Sequence, residues 1–366
     1  MKIGIHGDPA AHSIPGGVGV YVRRLIAELL RLPDEHTLKV ILSRHADLPP
    51  SWVSAGLIRT SLPFAPSYAA WNFLGMPKIP DELDVVHATG LAIPPVPGAA
   101  LVATVHDLAV ERMPEVVPAI WRQIYLKGLR TAVKRAIVIC AVSQATKDEL
   151  VDAYRVDPER VVVTPEAPNF TPQSQQDPSI LQRLDLEGPF ILSVGTIEPR
   201  KNQIRLVNAF AEAGSELGGY KLVLAGAPGW GQEQVNDLVE KRRLMTRVVL
   251  TGKITGPEMV ALYSKASVFA LPSLYEGFGL PLIEALNFGI PTLSGSSPAL
   301  KELGGEAALY VDPTDTSAMS AELVKLASDE PLRSRLAADG RSRAAGYTWE
   351  RTAAATLRAY SQAVGG

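Results

Sequence analysis

Short apolar runs recur along this chain in two sets, and a proline-rich segment divides one set from the other. In the first set the runs are Lys2 to Gly7, Leu38 to Leu42, Asp84 to His87, Leu101 to His106, Ala136 to Val142 and Arg160 to Thr164. Longer stretches with helical periodicity lie between some of them. After Gly16-Gly17, for instance, Val22, Leu25, Ile26, Leu29 and Leu30 share one helical face. Runs too short for buried helices, alternating with amphipathic helices, predict strands of a parallel sheet covered on both faces. Such a sheet binds ligands beyond the carboxyl ends of its strands.

The same alternation restarts at Phe190 to Val194 and continues through Lys221 to Ala225, Arg247 to Leu250, Ser267 to Leu271, Pro291 to Ser294 and Ala308 to Val311. Between Thr164 and Gly188 stand Pro165, Pro168, Pro172 and Pro178 with a Gln/Ser-rich patch, a composition that fits an exposed linker. The expected organisation is an α/β chain of two Rossmann-like doubly wound domains, 1–170 and 189–345, joined by a linker at 171–188. A closing helix at 346–366 carries Trp349, Ala353, Thr356, Leu357 and Tyr360 on one face. A chain of 366 residues, 46% of them hydrophobic, is long enough for two such cores.

A formal charge of −2 gives no basic footprint, so nucleic acid is not expected as a partner. The single cysteine, Cys140, falls inside an apolar run and reads as a buried strand residue. The start, Met1-Lys-Ile-Gly-Ile-His6, lacks a signal-peptide layout, and no apolar stretch reaches the ~20 residues that span a bilayer. A cytoplasmic protein is expected. Arg122, Lys127, Arg130, Lys134 and Arg135 alternate with Trp121, Ile124, Tyr125, Leu126 and Leu129, which fits either a peripheral surface for anionic lipid or a solvated helix face over the core. There is no Asp-x-Asp triplet and no His/Cys cluster with ligand spacing, so no metal is expected.

Chemistry concentrates in Glu276-Gly-Phe-Gly-Leu-Pro-Leu-Ile-Glu284. This loop follows an expected strand and runs into a helix with Pro281 in its first turn and Gly289 at its end. A helix start presents unpaired N–H groups and partial positive charge, and Gly277 and Gly279 let an anion approach closely. Glu284, one turn in, suits a pair of ribose hydroxyls, and Glu276 suits a sugar. A second strand-loop-helix step, Phe190 to Asn202, puts Arg200 and Lys201 where two cations would face a diphosphate. Gly16-Gly17 opens a helix without the spaced glycines and acidic ribose ligand of a dinucleotide fold, which argues against an NAD or FAD enzyme. His106 and Asp107 end another strand, where active-site groups gather. His6 and His87 also lie near strand ends without a motif, while His12, His36 and His45 read as loop or surface residues.

Tyr275-Glu-Gly-Phe-Gly-Leu-Pro-Leu-Ile-Glu-Ala285 with Gly289-Ile-Pro291, the Arg200-Lys201 step, the Gly16 loop and His106-Asp107 together resemble the retaining glycosyltransferases of family 4. The resemblance implies a GT-B fold, with an acceptor-binding domain and a nucleotide-sugar-binding domain facing a cleft. It implies metal-independent transfer of a hexose with retained configuration, by front-face attack. By this resemblance His106, Arg200, Lys201 and Glu276 are catalytic. Gly16, Gly17, Gly277, Phe278, Gly279, Leu280 and Glu284 then bind the donor, and the last helix crosses back to the first domain. Val105-His-Asp-Leu108, Glu198-Pro-Arg-Lys-Asn202 and Gly229-Trp-Gly231 look like bacterial mannosyltransferases of polysaccharide biosynthesis. They point to GDP-mannose, with UDP-hexoses as the alternative donor and a glycan or lipid-linked saccharide as acceptor. A non-hydrolysing nucleotide-sugar epimerase of the same architecture and a non-catalytic sensor are the competing readings. Thr164-Pro-Glu-Ala-Pro-Asn169 departs from the Asn-Gly or Leu-Gly turn of many relatives.

Overall fold

Seven parallel strands form the first sheet: β1 (Lys2–His6), β2 (Thr37–Leu42), β3 (Gly56–Arg59), β4 (Val85–Ala88), β5 (Ala100–Val105), β6 (Val138–Ala141) and β7 (Val161–Val163). Their order is β3-β2-β1-β4-β5-β6-β7, and Ile3 of β1 pairs with Leu38 on one side and Val85 on the other. A second parallel sheet holds β8 (Phe190–Val194), β9 (Lys221–Ala225), β10 (Val248–Leu250), β11 (Val268–Leu271), β12 (Thr292–Gly295) and β13 (Leu309–Val311), in the order β10-β9-β8-β11-β12-β13. The computed structural model describes residues 1–11, 16–32, 36–79 and 82–365; His12 lies outside the described residues.

Every expected strand is present within two residues of its expected bounds. The runs are apolar throughout because the strands are covered on both faces: all four residues of β4, β6, β11 and β12 are buried. β3 had no counterpart among the expected strands. It is a four-residue edge strand paired to β2 alone, and only Ile58 of its residues is buried, so it lacks the apolar signal of an inner strand.

The chain divides into two compact units, one made of 1–167 with 348–366 and the other of 168–347. Each has its own core, around Val86, Ala103, Leu129 and Ile139 in the first and Leu206, Leu224, Val268 and Leu323 in the second. Residues 171–188, expected as a linker, belong to the second unit. They include the helix Ser179–Arg183, whose Ile180 is fully buried and whose Arg183 donates to Glu258 at 2.6 Å. Pro172 lies in a tight turn in which Ser174 N–H donates to Thr171 O at 2.9 Å.

The last helix, Trp349–Gly365, completes the first unit. It buries Trp349, Ala353, Thr356 and Tyr360, and Tyr360 enters a chain of polar contacts inside the core. The Tyr360 hydroxyl is 2.8 Å from His87 Nδ1, His87 Nε2 is 2.7 Å from the Thr104 hydroxyl, and that hydroxyl is 3.0 Å from the Tyr21 hydroxyl. Burial, then the nearby His106 and His6, push His87 down to about 3, so its ring is neutral and offers one donor and one acceptor. The basic helix Ala119–Arg135 buries Ile124, Leu126 and Leu129 and exposes Lys127, Arg130, Lys134 and Arg135. Among the described residues, no helix is long and apolar enough to cross a membrane.

In both sheets the strand order reverses direction beside the first strand of the set, between β1 and β4 and between β8 and β11. Ligand sites of open α/β sheets form at the carboxyl ends of strands flanking such points.

Candidate active site

In the second unit, the loops after β8 and β11 bring Arg200, Lys201 and Glu276 together. Pro199–Lys201 is a single 3-10 turn, and Asn202 follows it in the left-handed conformation at φ 61° and caps the helix Gln203–Ala213. The Asn202 amide donates to the carbonyls of Pro272 at 3.0 Å and Pro313 at 2.7 Å, so one side chain ties the turn to the loops after β11 and β13. Leu274 N–H donates to Arg200 O at 2.9 Å and closes the same junction. Gly195, at φ 147°, lets the Lys201 stem lie against the end of β8: a Cβ there would stand 3.3 Å from Lys201 Cε.

The Glu276 carboxylate accepts from Lys201 Nζ at 2.5 Å, Arg200 Nη1 at 2.8 Å and the Ser273 hydroxyl at 2.7 Å. Arg200 Nη2 also meets Glu198 at 2.7 Å. All four charged side chains are less than a fifth exposed. Burial alone would raise the Glu276 carboxyl, but Lys201 and then Arg200 outweigh it and hold it at about 2. Burial lowers the Lys201 ammonium below the ordinary lysine value, against the pull of Glu276 and with the help of Arg200. The two cations expected to face a diphosphate are therefore held by the carboxylates of Glu198 and Glu276. An anionic ligand would compete with Glu198 and Glu276 for them.

The glycine loop continues into the helix Leu280–Phe288, whose N-cap Gly279 takes φ 111° and whose C-cap Gly289 takes φ 70°. A Cβ on Gly279 would stand 2.7 Å from Leu300 Cδ2, so the position excludes a side chain on two counts. Gly277 and Phe278 are buried, Phe278 edge-on to Tyr347 at 6.0 Å between centroids, and Leu280 is half-buried. Glu284 is buried too, accepting from the Tyr263 hydroxyl at 2.7 Å and from Asn169 N–H at 3.3 Å.

The remaining expected residues, Gly16, Gly17 and His106, lie in the first unit. Gly16 and Gly17 are exposed at the start of the helix Gly17–Leu29, with no atom within 4 Å of a Cβ built on Gly16. His106 follows β5, its side chain 14% exposed, with Nδ1 3.0 Å from Glu166 and Nε2 2.9 Å from Thr89 O. His6 lies fully buried with Nε2 3.3 Å from Asp8. Sequence reasoning did not assign Ser273, Glu198, Asn202 or Glu166. Glu198 and Asn202 flank the Arg200-Lys201 step in sequence, and Glu166 lies in Thr164-Pro-Glu-Ala-Pro-Asn169. Among the described residues, no group of three or more His, Cys, Asp or Glu side chains is placed to hold a metal ion.

Residues 15–167 match Glycosyltransferase Family 4 and residues 179–343 match Glycosyl transferases group 1. O-antigen chain mannosyltransferase B of Escherichia coli is 31% identical over 264 residues, covering 71% of this chain and 69% of that protein. The serotype-specific mannosyltransferase WbdA of Escherichia coli is 30% identical over 251 residues, 66% of this chain but only 31% of WbdA. HepE of Anabaena, solved in complex with UDP and glucose, superimposes with a TM-score of 0.73 at 19% identity, covering 98% of this chain and 99% of that one. Two parallel Rossmann-like units with these matches define a glycosyltransferase of the GT-B fold. Within that class the chain belongs to glycosyltransferase family 4.

Proposed function

We propose that this enzyme transfers mannose from GDP-mannose to a glycan or lipid-linked saccharide acceptor in polysaccharide biosynthesis, with retention at the anomeric carbon and without a resident metal. The observation that carries the sugar is the 31% identity to an O-antigen chain mannosyltransferase over most of both chains. The chemistry is carried by the buried Arg200, Lys201 and Glu276 cluster. When the bond at the sugar's C1 breaks, negative charge builds on the leaving diphosphate. Arg200, Lys201 and the start of the helix Leu280–Phe288 are the groups whose attraction grows with that charge, which is what lowers a barrier. Glu276 keeps both cations in place and is the acceptor for sugar hydroxyls. Glu284 serves the ribose, Gly277, Phe278, Gly279 and Leu280 form the phosphate loop, Gly16 and Gly17 bind the donor, and His106 is catalytic. The proposal includes a cytoplasmic setting with the basic helix face turned to a membrane that carries the acceptor.

A UDP-hexose donor is the second reading, favoured by the shared fold with HepE, which binds UDP and glucose. Purified protein in EDTA, offered GDP-mannose, UDP-glucose and UDP-N-acetylglucosamine in turn, decides between them. Calorimetric binding and slow release of GDP from GDP-mannose alone are expected. Preference for a uridine nucleotide overturns the choice of donor, and no binding of any of the three overturns the phosphate site.

A further inference from the structure

Both ring nitrogens of His106 face groups that accept protons rather than give them. Nε2 lies 2.9 Å from the backbone carbonyl of Thr89, which is an acceptor only. Nδ1 lies 3.0 Å from Glu166 Oε1, and an ionised carboxylate is likewise an acceptor only. A neutral imidazole has one N–H and would set its bare nitrogen against one of those oxygens. An imidazolium has two and satisfies both. The ring plane is fixed from the side as well, edge-on to Tyr21 with centroids 4.8 Å apart at 84°.

Glu166 is itself anchored. It sits in Thr164-Pro-Glu-Ala-Pro-Asn169, the turn after β7. Thr164 N–H donates to Ala141 O at 2.8 Å, and the Thr352 hydroxyl of the last helix donates to Pro165 O at 2.6 Å. Its side chain is 6% exposed, so the carboxylate has little water to turn to and meets the ring instead.

We propose that Glu166 is a positioning residue that holds His106 as an imidazolium in a fixed plane, supplying a permanent cation at the end of β5 rather than a base. The inference rests on reading His106 as part of the transfer site. A fixed cation stabilises negative charge that develops in a transition state, and it has no lone pair with which to take an acceptor's proton. The acidic neighbours are Glu166, from the turn after β7, and Asp107, next in the chain. His87 from β4 is neutral, and Tyr21, whose pKa burial pushes well up, is an uncharged phenol. Burial alone would strip the His106 proton. The Glu166 hydrogen bond and charge, with smaller help from Thr89 and Asp107, reverse that and leave the ring above the ordinary histidine value.

Nitrogen NMR of histidine-labelled enzyme tests this without any donor sugar, with the His106 signal identified from its loss in His106→Asn. Both ring nitrogens should be protonated at pH 7.5. In Glu166→Gln, which keeps the side chain's size, proton affinity of the ring should fall about tenfold or more, and the alkaline limb of kcat should move down by the same shift. A wild-type ring that is neutral at pH 7.5, or a titration that Glu166→Gln leaves in place, overturns the proposal. Should that variant not fold, the wild-type titration decides alone. An imidazolium signal in a protein that turns over no donor would sink the transferase reading and leave the hold of Glu166 on the ring standing.

Discussion

Lys201→Ala removes one charge from the cluster after β8 while Arg200 and Ser273 still hold Glu276. The Lys201 ammonium is 12% exposed, so water does little to screen it. At an effective dielectric of about 20, a unit charge about 4 Å from a developing phosphate charge contributes about 4 kcal/mol, or roughly a thousandfold in rate. Glu276, 2.5 Å away, cancels part of that field, which brings the expectation to a hundredfold or somewhat more in kcat. Nucleotide binding should fall less, because the ground-state diphosphate is still met by Arg200 and the helix start. Lys201→Met keeps the stem that lies against Gly195 and loses only the charge, so it should match the alanine variant if electrostatics is the cause. Steady-state kinetics with calorimetric Kd values, alongside thermal unfolding to confirm folding, is the assay. Turnover within about threefold of wild type in either variant would refute the reasoning.

Glu276 has a folded pKa of about 2 against an ordinary 4.5, so its stabilising contribution is complete above 4.5 and is lost as pH falls through 2. The shift corresponds to at most about 3 kcal/mol, reduced by the lowered Lys201, and urea midpoints from pH 5 to 2 should fall more steeply in wild type than in Glu276→Gln. Asn202→Ala strands one buried and one half-buried carbonyl and forces a left-handed alanine, which should cost roughly 2 to 4 kcal/mol in a denaturant titration, with Asn202→Gly recovering the backbone share. Gly226→Ala would put a methyl 2.1 Å from Gly195 O and push apart the loops after β8 and β9, so both Tm and kcat should drop. Cys140, its thiol pushed up to about 12 by burial, should resist thiol reagents at pH 8 until the protein is denatured.

The sheets were legible because inner parallel strands must be apolar on both faces, and β4, β6, β11 and β12 carry that requirement in every residue. β3, at an edge and three-quarters exposed, carries no such requirement. Glycines whose backbone angles demand them, Gly279 and Gly289, marked the loop and helix around Glu276. Which side chains then meet was another matter. Ser273 and Glu198 are ordinary residues in sequence, and only the folding of two loops onto each other makes them partners of Glu276 and Arg200. The Glu166 contact with His106 spans sixty positions and has no periodicity to betray it.

The first unit is discontinuous, and that bears on how the protein is made. A ribosome delivers β1 to β7, then the whole second unit, and only afterwards the helix Trp349–Gly365. Until that helix arrives, the imidazole of His87 lacks the Tyr360 hydroxyl and the carbonyl of Pro165 lacks Thr352. The nascent first unit must therefore wait, incompletely covered, while a later piece of chain folds ahead of it.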